Sequence, residues 1–257
     1  MTRRSRLLRT TERSASHAQV NRDLFAEFAS LLAAAEWDVA LLQECPPRWA
    51  ERLATECGAQ PHLVPTSRNL PILAPLQSRA AAVNPDLVAS WEGGCNLTLV
   101  RAPGASAAIV ERRSLRLTRR PERRSMAFSR LESGLCVANL HASTSRAAAE
   151  RELLRAATTA AEWAAGSPLL LGGDLNLRPA LSPLTFATLA RDFGLASPTA
   201  EWAIDHLLVS GAEIEVPAQR WEPERREVPD PTAASGRALP IRLSDHSPVE
   251  VALSLPG

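Results

Sequence analysis

The chain has no lysine and no tyrosine, and all 29 of its cationic side chains are arginine. GC-rich coding accounts for that pattern together with the abundant alanine. Arginine richness therefore carries no argument for a nucleic-acid partner. Against the 29 arginines stand 28 acids, for a formal net charge of +1. That excludes the bulk positive field of a tight duplex-DNA binder. The four cysteines, Cys45, Cys57, Cys95 and Cys136, form no Cys-x-x-Cys pair, and no histidine follows them at zinc-finger spacing. A zinc finger is excluded, and buried, reduced thiols of an intracellular protein are expected. No apolar run is long enough to span a bilayer. The basic start, Met1 to Arg9, lacks the apolar core of a secretion signal, so a cytoplasmic protein is expected. There is no internal repeat and no low-complexity tail. What remains is 257 residues, 45% hydrophobic and 22% charged, an ordinary globular composition with length for one large core.

Residues 1–20 are polar, with Leu7-Leu8 the only apolar pair and at most a short strand. Phe25, Phe28, Leu31 and Leu32 recur at helical spacing, and Asn21 reads as the N-cap of that helix. Val39–Leu42 reads as a buried strand, and residues 48–57 as a short helix after Pro46-Pro47. Residues 60–90 are proline-rich, with Ala80–Val83 as a possible strand. Strands are predicted at Asn96–Val100, Ala107–Val110 and Leu115–Leu117, and a hairpin of Met126–Leu131 and Leu135–Leu140 turns at Ser133-Gly134. Residues 146–165 form a helix, capped within Ser143–Ser145 and followed by Gly166. Ser182-Pro183 opens another, closed by Gly194. Strands follow at Ile204–Val209 and Pro248–Leu253, with a long loop over 217–240. Strands, helices and hairpins in this order predict a mixed α/β layered domain.

The stretch Pro168-Leu-Leu-Leu-Gly-Gly-Asp-Leu-Asn176 organises the rest. Leu169–Leu171 is too short for a helix and reads as a buried strand, and Asp174 and Asn176 stand at its end. Ligands of α/β proteins gather at such strand ends. A carboxylate and an amide there suit an attacking water and a hard cation. The same arrangement recurs: Glu44 follows Val39–Leu42, His141 follows Val137–Leu140, Asp205 opens Leu207–Val209, and Asp245-His246 precedes Pro248. Singly, each has an ordinary reading as a turn cap or a core histidine. Five acid or imidazole sites beside buried strands are hard to explain by turns alone.

The ordered set Leu42-Gln43-Glu44, Asn139-Leu140-His141, Gly173-Asp174-Leu175-Asn176, Ile204-Asp205-His206 and Ser244-Asp245-His246 resembles the endonuclease/exonuclease/phosphatase superfamily, the DNase I-like phosphohydrolases. The resemblance runs from about residue 37 to 253. It implies a four-layer α/β/β/α sandwich, two mixed β-sheets face to face with helices outside. One such domain is expected over 1–257, with 1–20 poorly matched. The resemblance also implies roles. Glu44 would ligate a divalent cation, Mg²⁺ or Mn²⁺, with Asp245 sharing or supporting it. Asp174 would orient and deprotonate water, and Asn176 would hold water or a phosphate oxygen. His246 would contact the phosphate, kept cationic by Asp205. His141 would stabilise the transition state or protonate the leaving oxygen. Arg124 stands where similar proteins often have a phosphate-contacting arginine, and Asn96, after Gly93-Gly94, would face the cleft. Trp91, Trp202 and Trp221 offer faces for a base or sugar, or for core packing. His206 replaces an aromatic and takes no role.

The chain departs from the pattern at its start. Similar proteins open with a strand ending in an asparagine that shares the metal site. Here Leu7-Leu8-Arg9-Thr10-Thr11-Glu12 is the only plausible strand, which puts Thr11 or Glu12 in that slot, and Asn21 has no strand before it. A start further upstream, Glu12 as a substitute ligand, or impaired catalysis would each account for this. The resemblance implies a divalent-metal-dependent phosphoesterase cleaving phosphodiester or phosphomonoester bonds, possibly of nucleic acid. The alternative is a catalytically impaired member that binds a phosphorylated ligand or a protein partner.

Overall fold

Two β-sheets lie face to face, each covered on its outer side by helices. The computed structural model describes residues 16–18, 23–66, 94–101, 108–120, 122–230 and 239–256. The expectations for Leu7-Leu8, Thr11, Glu12, Asn21, Ala80–Val83, Trp91 and Gly93 fall outside them. The first sheet has the order β1-β3-β2, from β1 (Val39–Cys45), β2 (Ala59–Pro65) and β3 (Cys95–Arg101). The second has the order β4-β5-β6-β7-β8, from β4 (Ile109–Thr118), β5 (Arg124–Leu131), β6 (Cys136–Leu140), β7 (Leu169–Asp174) and β8 (Asp205–Ser210). Only β6 and β7 run parallel in it. Parallel neighbours need a long crossover, and α3 (Arg146–Ala164) supplies it. Two small pairs complete the strands: β9 (Glu213–Arg220) with β12 (Val249–Ser254), and β10 (Glu227–Val228) with β11 (Ile241–Arg242).

The two-residue period of the strands sorts side chains into layers. On β6, Cys136, Ala138 and Leu140 face α3, where Ala149, Leu153, Ala156 and Ala160 form the helix stripe. Val137 faces the other way and joins Val100, Leu170 and Val209 between the sheets. On β3, Leu97 and Leu99 face α1 (Phe25–Ala34) and α2 (Ala50–Cys57). The layers are therefore helix, sheet, sheet, helix, with α4 (Pro183–Phe193) beside α3. A polar seam also fastens the sheets. Gln43 Nε2 donates to Asn139 Oδ1 at 2.8 Å, and Asn139 Nδ2 donates to the Leu97 carbonyl at 3.1 Å. His62 and Ser129 bond across the gap at 2.8 Å. Buried and paired, these groups fix one registration of the sheets, because breaking any bond leaves a buried polar atom unsatisfied.

Several predicted elements change shape. β2 was hidden by Pro61 and Pro65, which an edge strand tolerates. The two short strands predicted at 107–117 are one edge strand, β4, whose middle carries outward arginines. The predicted loop over 217–240 instead continues β9 to Arg220 and holds a 3₁₀ turn, Pro223–Arg226, followed by β10. Helix α1 begins where the Phe25 N–H donates to Asp23 Oδ1 at 3.0 Å. Among the described residues no helix is long and apolar enough to cross a membrane.

Candidate active site

Glu44 stands on a bulge. The β1–β3 register slips between Leu42 and Cys45, and Glu44 takes a left-handed φ of 54°. For a residue with a Cβ this costs about 1–2 kcal/mol. The kink leaves 79% of the Glu44 side chain exposed. Gly94 makes room for it: a Cβ there would lie 3.0 Å from the Glu44 Cα. Gly173 has a similar duty on β7, since it has φ 128° and an added Cβ would fall 2.1 Å from the Leu140 carbonyl oxygen. Only glycine lets β7 pass that close to the end of β6, and this brings Asp174 beside His141.

Asp174 ends β7 and folds the chain over itself. Its Oδ1 accepts from the Asn176 N–H at 3.0 Å, and its Oδ2 from Asn176 Nδ2 at 3.2 Å. Asn176 adopts φ 50°, a conformation asparagine tolerates better than most residues. The same amide donates to the Ala142 carbonyl at 3.0 Å. His141 Nε2 lies 3.4 Å from Asp174 Oδ2, and its Nδ1 lies 3.9 Å from Glu44 Oε1. That Nδ1 is buried with no hydrogen-bond partner. Across the cleft, His246 Nδ1 sits 2.9 and 3.0 Å from the two oxygens of Asp205.

The environments separate the charge states. Burial, then the nearby cations Arg124 and His246, push the His141 pKa down to about 3, so its ring is neutral. Its approach to the two acids is therefore no ion pair at neutral pH. Burial, then the Asp205 charge, raise Asp174 to about 6. The hydrogen bond to Asp205 outweighs burial and raises His246 to about 9, so it is a cation. A carboxylate near neutrality, a neutral imidazole and a fixed imidazolium thus share one cleft. Such separation of pKa values characterises sites of proton transfer.

One cavity is lined by Glu44, Arg124, His141, Asp174, Asn176, Asp205, Asp245 and His246. Asp245 is exposed, and its Oδ1 accepts from the His246 N–H at 3.2 Å. Arg124 is 7% exposed and donates through Nη2 to Glu122 at 2.6 Å, while its Nε has no partner. Asn96 lies elsewhere. It is fully buried between the sheets, with Nδ2 donating to the Ser125 carbonyl at 2.7 Å. Trp202 is 63% exposed, and Trp221 lies under the Arg225 guanidinium at 3.9 Å and donates to Glu250.

Bracing residues were missed. Glu152, 4% exposed, accepts from the Ser143 N–H at 2.7 Å, the Ser143 hydroxyl at 2.8 Å and the Thr118 hydroxyl at 2.6 Å. It fixes the segment that follows His141. A signal existed: Glu152 falls on the helical stripe of Ala149, Leu153 and Ala156, where a solvated acid does not belong. His206 ties β8 to the neighbouring loops, with Nε2 3.0 Å from the Leu177 carbonyl oxygen and Nδ1 accepting from the Thr199 N–H at 3.2 Å.

Residues 19–246 match the family model described as Endonuclease/Exonuclease/phosphatase family. The chain belongs to that family. Its fold recurs in an endonuclease/exonuclease/phosphatase family protein of Bacteroides thetaiotaomicron, 15% identical, with 90% of this chain and 89% of that one covered and a TM-score of 0.63. A mannosyl-6-phosphatase of the same organism aligns at 15% identity over 90% of each chain with a TM-score of 0.62. The human nocturnin catalytic domain aligns at 18% identity over 74% of this chain and 77% of that one, with a TM-score of 0.51. At such identities the likeness is one of fold. No curated protein sequence matches significantly.

The cleft of this endonuclease/exonuclease/phosphatase member suits a hard cation by its donors. Among the described residues Asp174, Asp205 and His246 bring ligand atoms within 4.8 Å of one another. His246, cationic and bonded to Asp205, has no lone pair to give through Nδ1, which leaves carboxylate oxygens. Glu44 lies outside that cluster but lines the same cavity with an exposed carboxylate. An oxygen set of this kind fits Mg²⁺ or Mn²⁺ rather than a thiophilic metal.

Proposed function

We propose that this chain is a divalent-metal-dependent phosphoesterase that hydrolyses phosphodiester or phosphomonoester bonds. The observation that carries the reading is the division of proton affinities within the cleft, with the Asp174 pKa raised to about 6 and His246 held cationic. The family, and a structural neighbour that is itself a mannosyl-6-phosphatase, support the same class of substrate.

His246 and Arg124 bind the phosphate oxygens by charge and hydrogen bonds. Asp205 orients His246 and keeps its proton in place. Asp174, aligned by Asn176, takes a proton from the attacking water, and a base with a pKa of about 6 is matched to neutral pH. His141, neutral, keeps one ring N–H and stabilises the transition state by donating it as a hydrogen bond; its pKa of about 3 leaves it without the second, acidic proton, so the oxygen released when the P–O ester bond breaks takes its proton from solvent. Glu44, with Asp245 as a second carboxylate, would hold the divalent cation, which offsets the negative charge that repels the nucleophile.

The test is hydrolysis of bis-p-nitrophenyl phosphate and of plasmid DNA with Mg²⁺, Mn²⁺ or EDTA. Hydrolysis that EDTA abolishes supports the reading. Phosphate binding without hydrolysis under any metal would favour the catalytically impaired alternative.

A further inference from the structure

The segment after β9 carries no sequence motif, yet it brings a buried cation to the cleft. Arg226 ends the Pro223–Arg226 turn and is 6% exposed. Its carbonyl accepts from the Leu243 N–H at 3.0 Å, so Arg226 lies abreast of the strand that leads into Asp245 and His246. It lines the same cavity as Asp174 and His246. Its Nε and Nη1 are buried, and neither has a hydrogen-bond partner.

The neighbouring arginines differ. Arg242 Nε donates to Glu227 at 2.9 Å, and Arg225 donates to Glu250 at 3.2 Å. Asp245 and Glu227 act on Arg226 only at a distance. Burial, then Arg242 and Arg220, dominate and pull its pKa below the usual arginine value. A guanidinium does not lose its proton near neutrality, so the charge stays, with no ion pair among the described residues and with Nε and Nη1 unbonded. A buried ion without a partner destabilises a fold. A solvated surface arginine would be exposed, and a structural one would be paired. The remaining account is a partner that arrives from outside, and the planar guanidinium fork suits an oxyanion.

We propose that Arg226 is a second anion subsite, which receives a phosphate group of the substrate other than the one being cleaved. The proposal rests on the phosphoesterase reading above. Leu243, bonded to the Arg226 carbonyl, precedes His246 by only three residues, and both arginine and histidine line the one cavity. An oligonucleotide strand and a sugar bisphosphate both offer that chemistry.

The experiment compares kcat/KM of the wild type, Arg226→Met and Arg226→Lys. The substrates are bis-p-nitrophenyl phosphate, a 5′-phosphorylated trinucleotide and a hexose bisphosphate. For at least one of the two substrates with more than one phosphate, Arg226→Met is expected to lose at least about tenfold more kcat/KM than for the one-phosphate ester, chiefly through KM. Arg226→Lys should fall between, and the Tm of Arg226→Met should hold or rise, since an unpaired charge is removed. The substrate that shows the selective loss identifies the source of the second phosphate. Equal losses on all substrates, or a lower Tm in both variants, overturn the proposal. If the wild type hydrolyses none of the esters, the phosphoesterase reading fails separately. Calorimetry with the trinucleotide and with inorganic pyrophosphate then decides: tenfold weaker binding of either by Arg226→Met supports the subsite, and equal binding of both overturns it.

Discussion

Asp205→Asn isolates the charge that keeps His246 cationic. The carboxylate oxygens lie 2.9 and 3.0 Å from His246 Nδ1, and their hydrogen bond raises the His246 pKa from 6.5 to about 9. The amide keeps the shape and an acceptor oxygen but carries no charge. At about 1.4 kcal/mol per pH unit, the whole rise corresponds to about 3 kcal/mol. The His246 side chain is 38% exposed, so solvent screening reduces the usable part to about 1–2 kcal/mol. The His246 titration midpoint should therefore fall by about one pH unit or more in the variant, followed by NMR of its ring protons. Because the folded value exceeds the unfolded one, the stabilisation is full below about pH 6.5 and is lost as the pH rises through about 9. Wild type and variant should differ most in stability near pH 6 and least above pH 9. Competitive inhibition by inorganic phosphate at pH 8 should weaken about tenfold. An unchanged His246 midpoint in Asp205→Asn would mean that Asp205 does not set the charge of His246.

Three further outcomes follow from the geometry. Burial, with Arg112 nearby, lowers His62 from 6.5 to about 4, so its contribution is present above pH 6.5 and is lost as the pH falls towards 4, about 3 kcal/mol in all. His62→Gln should flatten the acid limb of stability in urea titrations, and an acid limb as steep as the wild type would contradict this. Gly173→Ala forces a side chain to φ 128° and into the Leu140 carbonyl, and should cost about 3 kcal/mol or more, read as a large fall in Tm. Glu44→Gln should weaken Mn²⁺ binding by about tenfold or more in calorimetry while leaving Tm near that of the wild type, since the side chain is 79% exposed.

The parts legible in the sequence are those set by local rules. Leu169–Leu171, bounded by Pro168 and Gly172, could only be a short buried strand, and β7 lies there. Helices α3 and α4 follow from Ser143–Ser145 and Ser182-Pro183 at their starts and from Gly166 and Gly194 beyond their ends. The acids and histidines at strand ends do line one cavity. What escaped depends on tertiary position. Pro61 and Pro65 argue against a strand unless it is known to be an edge. Arg112 and Arg113 break the pattern of β4 because one face of that edge strand meets solvent. Asn96 turns between the sheets rather than into the cleft because its amide is taken by the Ser125 carbonyl. Charge states are also not local: His141 and His246 are the same residue type, and burial in one case and Asp205 in the other set them about six pH units apart.

On the proposed mechanism, Asp174 is the base of a phosphoester hydrolysis carried out in this cleft. The most direct test is the pH–rate profile of bis-p-nitrophenyl phosphate hydrolysis with Mg²⁺ for the wild type and Asp174→Ala. The wild-type rate should rise through about pH 6 as Asp174 ionises and fall through about pH 9 as His246 loses its proton. The variant turnover should be lower by roughly 10²–10⁴ with the acid limb gone. Near wild-type turnover in Asp174→Ala, with the limb at pH 6 intact, would contradict that role for Asp174.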